Sequence, residues 1–330
     1  RRDPRVEPSV RTDQERVTPA RRAESASGER SPSSERTAPS IVRSWHRLHL
    51  ALPLCLGQDL PMSRNPDPTP ISDSDDPRLA PFRSLRARTE RGEEIPVADG
   101  LRVLETLVSL GAPIESVVTT PEDLPAVSAL LASVSPVTEA VIFVVARKVV
   151  SQLVGYRYHG GVMASLVAPA TTIPLEALGG RVIALARLDK GDNVGAIARS
   201  ALAFGFTGLL FDRAGTSPFG RSALRVSRGT VFGLAVRGTD DLATDLTALA
   251  ARGVTPVGAV QNGSVEPGAL APMVGGSFAL VLGNEGEGLS AAVAETLEVT
   301  VGIPIDGRVE SLNVAAAAAI LCHALRPRSR

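Results

Sequence analysis

The chain of 330 residues carries no formal net charge, and 44% of its residues are hydrophobic while only 3% are aromatic. This composition supplies a sizeable aliphatic core for about two domains. It argues against bulk charge as a means of wrapping nucleic acid, although a local basic patch is compatible with it. No run approaches the ~18 apolar residues of a membrane span, and Cys55 and Cys322 lack metal-ligand neighbours. We therefore expect a reduced, cytoplasmic protein without a membrane or metal site.

The first 78 residues are predicted to be a disordered tail. Residues 1–40 are rich in Arg, Glu, Ser, Thr and Pro, and such a segment buries too little surface to offset its ordering entropy. The first methionine is Met62, which suggests the hypothesis that residues 1–61 are upstream sequence outside the natural protein; a functional basic tail is the alternative. Residues 62–78, rich in Pro, Asp and Ser, form the expected lead-in to the fold.

Residues 79–164 are predicted to form a small α/β domain. Apolar periodicity and turn residues indicate helices at 99–110, 121–133 and 147–154 and strands at 114–119 and 140–145. We interpret residues 160–164 as a hinge and residues 165–180 as a linker. Arginines that include Arg83 and Arg86 lie near the start of this domain, where they form either a solvated face or a phosphate-binding patch.

Residues 181–330 alternate strands and helices, which predicts a second domain with a mostly parallel sheet. A buried strand at 181–186 leads into a polar turn and a helix in which Asn193 and Arg199 are nearly two helical turns apart. Further strands are predicted at 208–212, 254–260 and 277–282. Between them lie three arginines that we interpret as a phosphate track, Arg221, Arg225 and Arg228.

A glycine-rich loop at 283–289 follows the last long buried strand. It lacks the Gly-x-x-x-x-Gly-Lys-Ser/Thr and Gly-x-Gly-x-x-Gly patterns of phosphate-binding loops, and its two glutamates would repel phosphates. A cofactor with a cationic or neutral reactive end fits better, because glycines let the backbone approach an adenine or a ribose closely. Further on, Ser311 or Asn313 is expected to cap an alanine-rich helix.

Three loops taken together, at 193–199, 283–289 and 303–313, resemble in order and spacing the three motifs of the SPOUT class of methyltransferases. Within that class they are similar to the TrmH (SpoU) family of RNA 2′-O-ribose methyltransferases. The resemblance covers residues 181–330, and residues 79–164 resemble the family's L30e-like substrate-binding domain. It implies a Rossmann-like α/β domain with a deep trefoil knot, and S-adenosylmethionine as the cofactor. It also implies a homodimer with its site at the interface and structured RNA, either tRNA or rRNA and not DNA, as the substrate.

The resemblance also assigns roles to matching residues. It implies that Arg199 helps to activate the ribose 2′-hydroxyl, with Asn193 alongside. It implies polar active-site roles for Glu285, Ser311 and Asn313. The cofactor-binding positions that it implies are Gly283, Asn284, Gly286, Ile303 and Leu312.

The first motif departs from the family pattern. Asp-Pro is common in the family before a variable residue and the Asn, whereas Lys190, Gly191 and Asp192 precede Asn193 here. This departure predicts a less rigid loop with an added charge near the RNA.

Two other functions stay open at this point. One is a catalytically silent RNA-binding or ribosome-assembly protein on the same scaffold, against which the intact polar residues of the three motifs argue. The other is a nicotinamide oxidoreductase on a true Rossmann fold, which the missing Gly-x-Gly-x-x-Gly pattern disfavours.

Overall fold

The computed structural model describes residues 67–90, 96–133, 140–158 and 160–327. They form a five-stranded mixed sheet and a six-stranded parallel sheet, which confirms the predicted α/β class. Predictions made for residues 1–66 fall outside these ranges. Within the ranges, no helix is both long and apolar enough to cross a membrane.

The first sheet has the strand order β1-β4-β3-β5-β2. Its strands are β1 (Thr69–Ile71), β2 (Val97–Asp99), β3 (Ile114–Thr119), β4 (Val141–Val145) and β5 (Val162–Leu166). Its helices are α1 (Leu85–Glu90), α2 (Leu101–Ser109), α3 (Leu124–Ala132) and α4 (Arg147–Val154). β1, β4 and β3 pair in parallel, whereas β5 pairs antiparallel with both β3 and β2. β5 is therefore the one reversed strand in the sheet as described.

The ordered fold begins earlier than the predicted boundary at residue 79. β1 pairs with β4, and a 3-10 helix at Pro77–Phe82 buries Leu79 and Phe82 completely. The predicted disordered lead-in to residue 78 is therefore wrong from Thr69 onward. A strand of three residues is specified by its distant partner, β4, and local composition carries no signal for such pairing.

The predicted hinge at residues 160–164 is also wrong, because most of it belongs to β5, whose five residues are all buried. The adjacent glycines mark a close approach of backbone to side chain. A Cβ atom on Gly161 would lie 1.5 Å from Oδ2 of Asp123. The predicted linker at 165–180 starts only after Leu166, and a 3-10 helix at Leu175–Leu178 orders its second half.

The second sheet has the strand order β11-β9-β10-β6-β7-β8. Its strands are β6 (Arg181–Leu185), β7 (Gly208–Asp212), β8 (Ala235–Thr239), β9 (Thr255–Ala259), β10 (Phe278–Leu282) and β11 (Val299–Val301). Its helices are α5 (Gly191–Ala203), α6 (Arg221–Ser227), α7 (Leu242–Ala250), α8 (Pro267–Val274), α9 (Ala291–Ala294) and α10 (Val314–Ala324). Because all pairs are parallel, every strand ends at the same edge, and the order reverses between β6 and β10, where open α/β sheets bind ligands.

Both faces of the second sheet are buried. Along β10, Leu280 and Leu282 belong to one apolar cluster and Ala279 and Val281 to another, as the two-residue repeat of a strand requires. The first of these clusters also contains residues of α2 in the first region. A Cβ atom on Gly229 would lie 2.9 Å from Cδ2 of Leu107, so α2 packs closely against the backbone of the second region there. The two sheets therefore share one continuous core.

The C-terminal elements are held on several sides. β11 pairs with β9, and Val265 bridges its other side, where the Gly302 N–H donates to the Val265 carbonyl at 3.0 Å. α10 then packs on α5 and α8. The Arg181 guanidinium donates to the Leu325 carbonyl. Burial near the end of α10 raises the pKa of the Cys322 thiol to about 12.

Candidate active site at the carboxyl edge of the second sheet

A cavity of about 440 Å³ lies beyond the carboxyl ends of β9, β10 and β11. The glycine-rich loop forms one wall, the segment after β11 forms another, and α10 closes it with Ala317 and Leu321. Seven of the predicted site residues line it: Gly283, Asn284, Glu285, Gly286, Ile303, Ser311 and Leu312. Strand direction brings these residues together, because the loops after parallel neighbours meet at one edge.

Asn284 builds the glycine-rich loop from within. Its amide Nδ2 donates to Oδ2 of Asp189 at 2.7 Å and to the Arg187 carbonyl at 2.9 Å, and its Oδ1 accepts from the Gly286 N–H at 2.8 Å. Both Nδ2 protons are thus committed to the protein. Asn284 lines the cavity, as its predicted place among the cofactor-binding positions requires, and its amide holds the loop against the segment after β6.

Gly283 is required by sterics, whereas Gly286 is not. A Cβ atom on Gly283 would lie 2.6 Å from the Gly288 carbonyl carbon, which is too close for two carbon atoms that are not bonded to each other. On Gly286 the nearest atom would be Oδ1 of Asn284 at 3.5 Å, an ordinary contact distance. The loop therefore folds back on itself only with glycine at position 283.

Three predicted catalytic residues meet at the edge of this cavity. The Asn193 amide donates to Oε1 of Glu285, and Nδ2 of Asn313 lies 3.4 Å from the same oxygen and 3.2 Å from Oδ1 of Asn193. Each residue follows a different strand of the sheet: Asn193 follows β6, Glu285 follows β10 and Asn313 follows β11. We call this Asn193–Glu285–Asn313 cluster the polar triad.

Lys190 is a fourth member of this neighbourhood that sequence reasoning did not assign to the site. Its Nζ lies 3.5 Å from Oε2 of Glu285, and 69% of its side chain is exposed. The sequence signal was the departure of the first motif from the family pattern, which placed a cation here. An exposed pair of this kind contributes about 0–1 kcal/mol to stability. We therefore expect the positive charge of Lys190 to act mainly on a molecule that approaches the site.

Asn313 has a second role as the N-cap of α10. Its Oδ1 accepts from the Ala315 N–H at 2.9 Å and from the Ala316 N–H at 3.4 Å. This confirms the expectation of a cap at Ser311 or Asn313 and assigns it to Asn313. Ser311 instead lines the cavity. The same side chain thus fixes the helix start and takes part in the polar triad.

Arg199 lies apart from the polar triad. α5 begins at Gly191, so Asn193 sits in its first turn, and Arg199 follows about 9 Å further along the helix axis. The Arg199 side chain is exposed and makes no hydrogen bond or ion pair with any residue that the structure describes. One chain therefore does not bring Arg199 and the triad into contact.

Two of the five arginines predicted to bind RNA have structural roles instead. Arg221 donates to Oδ2 of Asp99 at 2.8 Å and to the Tyr156 hydroxyl at 2.6 Å, with only 17% of the Arg221 and Asp99 side chains exposed. Arg83 donates to the carbonyls of Ser74 and Asp76. We therefore drop Arg221 and Arg83 as phosphate contacts.

The other three arginines are exposed. Arg86 lies on α1, and Arg228 ends α6 in the left-handed conformation with φ of 54°. Arg225 pairs with Asp192 at 3.0 Å on the surface, so the charge that the departing first motif adds is already partnered. Their contact with RNA stays a prediction.

Comparison with known proteins connects this geometry to a family. Residues 180–323 match the SpoU rRNA Methylase family. An uncharacterized tRNA/rRNA methyltransferase of Mycobacterium tuberculosis is 29% identical over 262 residues, which is 76% of this chain and 88% of that protein. The 23S rRNA (guanosine(2553)-2′-O)-methyltransferase RlmP of Bacillus subtilis is 35% identical over 147 residues, which is 44% of this chain and 58% of RlmP.

A solved structure extends the likeness across both sheets. The AdoMet-bound rRNA methyltransferase from Sinorhizobium meliloti superposes with a TM-score of 0.63 at 25% identity. The superposition covers 78% of this chain and 97% of that chain. Because 78% exceeds what residues 180–323 span alone, the likeness includes part of the first region as well.

Proposed function

We propose that this chain, whose residues 180–323 form a methylase domain of the SpoU family, transfers a methyl group from S-adenosylmethionine to a ribose 2′-hydroxyl of structured RNA. The observation that carries the proposal is the polar triad at the edge of the cavity. Three loops separated by up to 120 residues deliver one carboxylate and two carboxamides to a single point. The 2′-O-methylated product of RlmP, as its name gives it, supports the same chemistry here.

The cavity suits S-adenosylmethionine in size and chemistry. Its volume of about 440 Å³ lies within the range of about 300–1,000 Å³ for small-molecule sites. Ile303 and Leu312 supply apolar wall, and Gly283 brings backbone close to a bound adenosyl group. Glu285 and Glu287, which disfavour a phosphate, complement a positive charge. When bound, the sulfonium of this cofactor supplies an already activated methyl group.

The chain's own residues position and polarise the nucleophile. A 2′-hydroxyl is a weak nucleophile until its proton is removed or strongly hydrogen-bonded. Asn193 and Asn313 hold their amides beside Glu285, and this fixed arrangement orients a ribose at the lip of the cavity. Arginine stays protonated in proteins, so Arg199 stabilises the developing alkoxide or holds a neighbouring phosphate, and the proton leaves to that phosphate or to water.

A homodimer belongs to this proposal. Arg199 does not touch the triad within one chain, so the two parts of the site need either RNA or a second subunit to join them. We propose that a partner chain and the RNA together complete the site, with tRNA or rRNA as the substrate.

The C-terminal path supports the proposed trefoil knot. β11 lies between β9 on one side and Val265 on the other, inside the turn that follows β9. A Cβ atom on Gly263 would lie 2.0 Å from the Gly302 nitrogen, so these two glycines let one backbone segment cross directly over another. Such a crossing is what a threaded chain requires.

The test is transfer of labelled methyl from S-adenosylmethionine to total tRNA and, separately, to rRNA, followed by nucleoside analysis. A 2′-O-methylated nucleoside in one pool is the expected result, and it identifies the substrate class at the same time. A methylated base in place of a methylated ribose would contradict the proposed chemistry. If neither transfer nor cofactor binding is found, the silent RNA-binding scaffold replaces the enzyme.

A further inference from the structure

A second cavity, of about 450 Å³, lies where the first region meets the second sheet. The residues that matter for its chemistry are Pro96, Ala168, Phe211, Arg213, Ser217 and Phe219. They come from the start of β2, the segment after β5, and the end of β7 with the loop that follows it. Both halves of the described fold therefore contribute to its walls.

The walls combine flat apolar surface with hydrogen-bond donors. Phe211 and Phe219 are each only 5% exposed. Arg213 donates to Oγ1 of Thr171 and to the Gly238 carbonyl at 3.1 Å, and its Nε lies 3.7 Å from Asp240. No carboxylate lines the cavity among the residues described. Aromatic rings and guanidinium planes are the surfaces on which proteins hold unstacked bases, and the nearby Asp240 makes Arg213 a poorer site for a phosphate.

Hydrogen bonds connect the loop that lines this cavity to the glycine-rich loop of the proposed active site. Thr216 lies in the loop after β7, its N–H donates to the Leu188 carbonyl at 2.7 Å, and its Oγ1 donates to the Asp189 carbonyl at 2.7 Å. The Asp189 carboxylate in turn accepts from Asn284, which lines the cofactor cavity. The segment that leaves β6 is thus hydrogen-bonded to the loops that line the two cavities.

The Asp99–Arg221 ion pair holds the two sides of the second cavity together. Asp99 ends β2, three residues after Pro96, and Arg221 begins α6, two residues after Phe219. Their 2.8 Å contact, largely buried, fixes one wall against the other. The cavity is therefore a fixed feature of the junction between the two sheets.

We propose that this second cavity receives an unstacked base from a nucleotide flanking the methylated one. The inference rests on the proposed function and adds to it a recognition site for the substrate. The ribose to be methylated lies at the polar triad, and its neighbour crosses the segment that leaves β6 and places its base in the second cavity beside Pro96. The side of the cavity formed by Arg213 and Ser217 then determines which base is preferred next to the methylated nucleotide.

The test fills the cavity without removing any contact. Ala168→Trp places an indole at an exposed lining position, and Val167→Trp places the same side chain one residue earlier, at a position that is 56% exposed and does not line the cavity. With the RNA pool that accepts methyl groups, we expect Ala168→Trp to raise KM for RNA by about tenfold, as the loss of one stacked base does. S-adenosylmethionine affinity by calorimetry should stay the same, and Val167→Trp should stay within about twofold of wild type on both counts.

Filter binding of the same RNA pool without cofactor gives a readout that needs no turnover. Weaker RNA binding by Ala168→Trp than by Val167→Trp supports the inference, and equal binding by the two variants overturns it. Failure of the proposed function is a separate result: the wild-type protein then transfers no methyl group, whatever the two tryptophan variants do to RNA binding.

Discussion

The two sheets use their carboxyl edges differently. In the second sheet all strands run in one direction, and the loops after β9, β10 and β11 leave an open cavity with the polar triad at its lip. In the first sheet the reversed strand β5 starts at the edge where β3 and β2 end. The chain that enters β5 covers this edge, with Tyr158 buried and donating to the Val162 carbonyl at 2.8 Å.

One reversed strand is thus enough to turn an edge that can bind a ligand into a packing surface. At the first edge, the polar groups of Asp99 and Tyr156 accept hydrogen bonds from Arg221 of the second region. Those at the second edge face the cavity. Substitutions at the second edge should therefore change chemistry with little loss of stability, and substitutions at the junction should do the reverse.

The largest contrast is expected between two exposed arginines, one in each region. Arg199→Ala should lower turnover by about 10²–10³-fold, the loss typical of removing one donor that stabilises a developing oxyanion, while S-adenosylmethionine binding is retained. Arg102→Ala on α2, where 86% of the side chain is exposed, should leave turnover unchanged. Single-turnover methyl transfer measures both, and wild-type turnover by Arg199→Ala would remove Arg199 from the mechanism.

A methyl group added to the glycine-rich loop tests the cofactor cavity alone. Gly283→Ala should weaken S-adenosylmethionine binding by at least about tenfold, because the loop must open to remove a 2.6 Å contact. Gly268→Ala, which meets no atom within 4 Å, is the matched control and should bind as wild type does. Isothermal titration measures both affinities. Equal affinities would mean that the loop is free to rearrange.

The two roles of Asn313 can be separated by two substitutions. Asn313→Ala loses the cap of α10 and should lower the free energy of unfolding by about 1 kcal/mol as well as turnover. Asn313→Ser keeps a capping oxygen and should recover most of the stability, but it loses the amide that reaches Glu285. Urea unfolding and methyl transfer are measured on both variants. If Asn313→Ser recovered full turnover, only the cap would matter.

The smallest expected effect is a pH dependence at the junction. Burial raises the pKa of Asp99 even beside Arg221. A carboxyl whose folded pKa lies above its unfolded value of about 3.9 holds its proton more tightly in the folded state, so its contribution to stability falls as pH rises through that window. Asp99→Asn removes this pH-dependent contribution. The free energy of unfolding of the variant, relative to that of wild type, should therefore increase with pH, by less than about 1.4 kcal/mol per pH unit.

Asp306 provides the control of opposite sign. Hydrogen bonds from Arg308 lower the pKa of Asp306, so its contribution is present above its usual pKa and is lost as pH falls. Asp306→Asn should accordingly lose stability relative to wild type as pH rises. The free energy of unfolding in urea is measured for the three proteins between pH 3.5 and 7, roughly the window that these carboxyls span. If it changed with pH in the same way for wild type and Asp99→Asn, the role given to burial would be contradicted.

The sequence predicts the second sheet better than the first. β10 is a run of five apolar residues that are buried on both faces, and β7 has the predicted bounds. β1 and β2 have three residues each and are fixed by pairing with distant partners. β5 was mistaken for a hinge because glycines that permit a close approach look the same in sequence as glycines that permit flexibility.

The site shows the same division between local and long-range information. The cap at Asn313 follows from local spacing, whereas the meeting of Asn193, Glu285 and Asn313 was expected only from the family resemblance. Periodicity cannot report a contact between residues 92 or 120 positions apart. For the same reason the regular arginines of α6 suggested a phosphate track, although the partner of Arg221 lies 122 positions away.

The burial of Cys322 turns one side chain into a measure of how often α10 detaches. A thiol with its pKa raised to about 12 reacts with disulfide reagents only when the helix opens. Ala317 and Leu321 of the same helix line the cofactor cavity, so a bound cofactor stabilises the closed helix by mass action. In a variant with Cys55 replaced by serine, the half-life for labelling of Cys322 should lengthen as the cofactor concentration rises. The labelling rate then measures how often α10 opens.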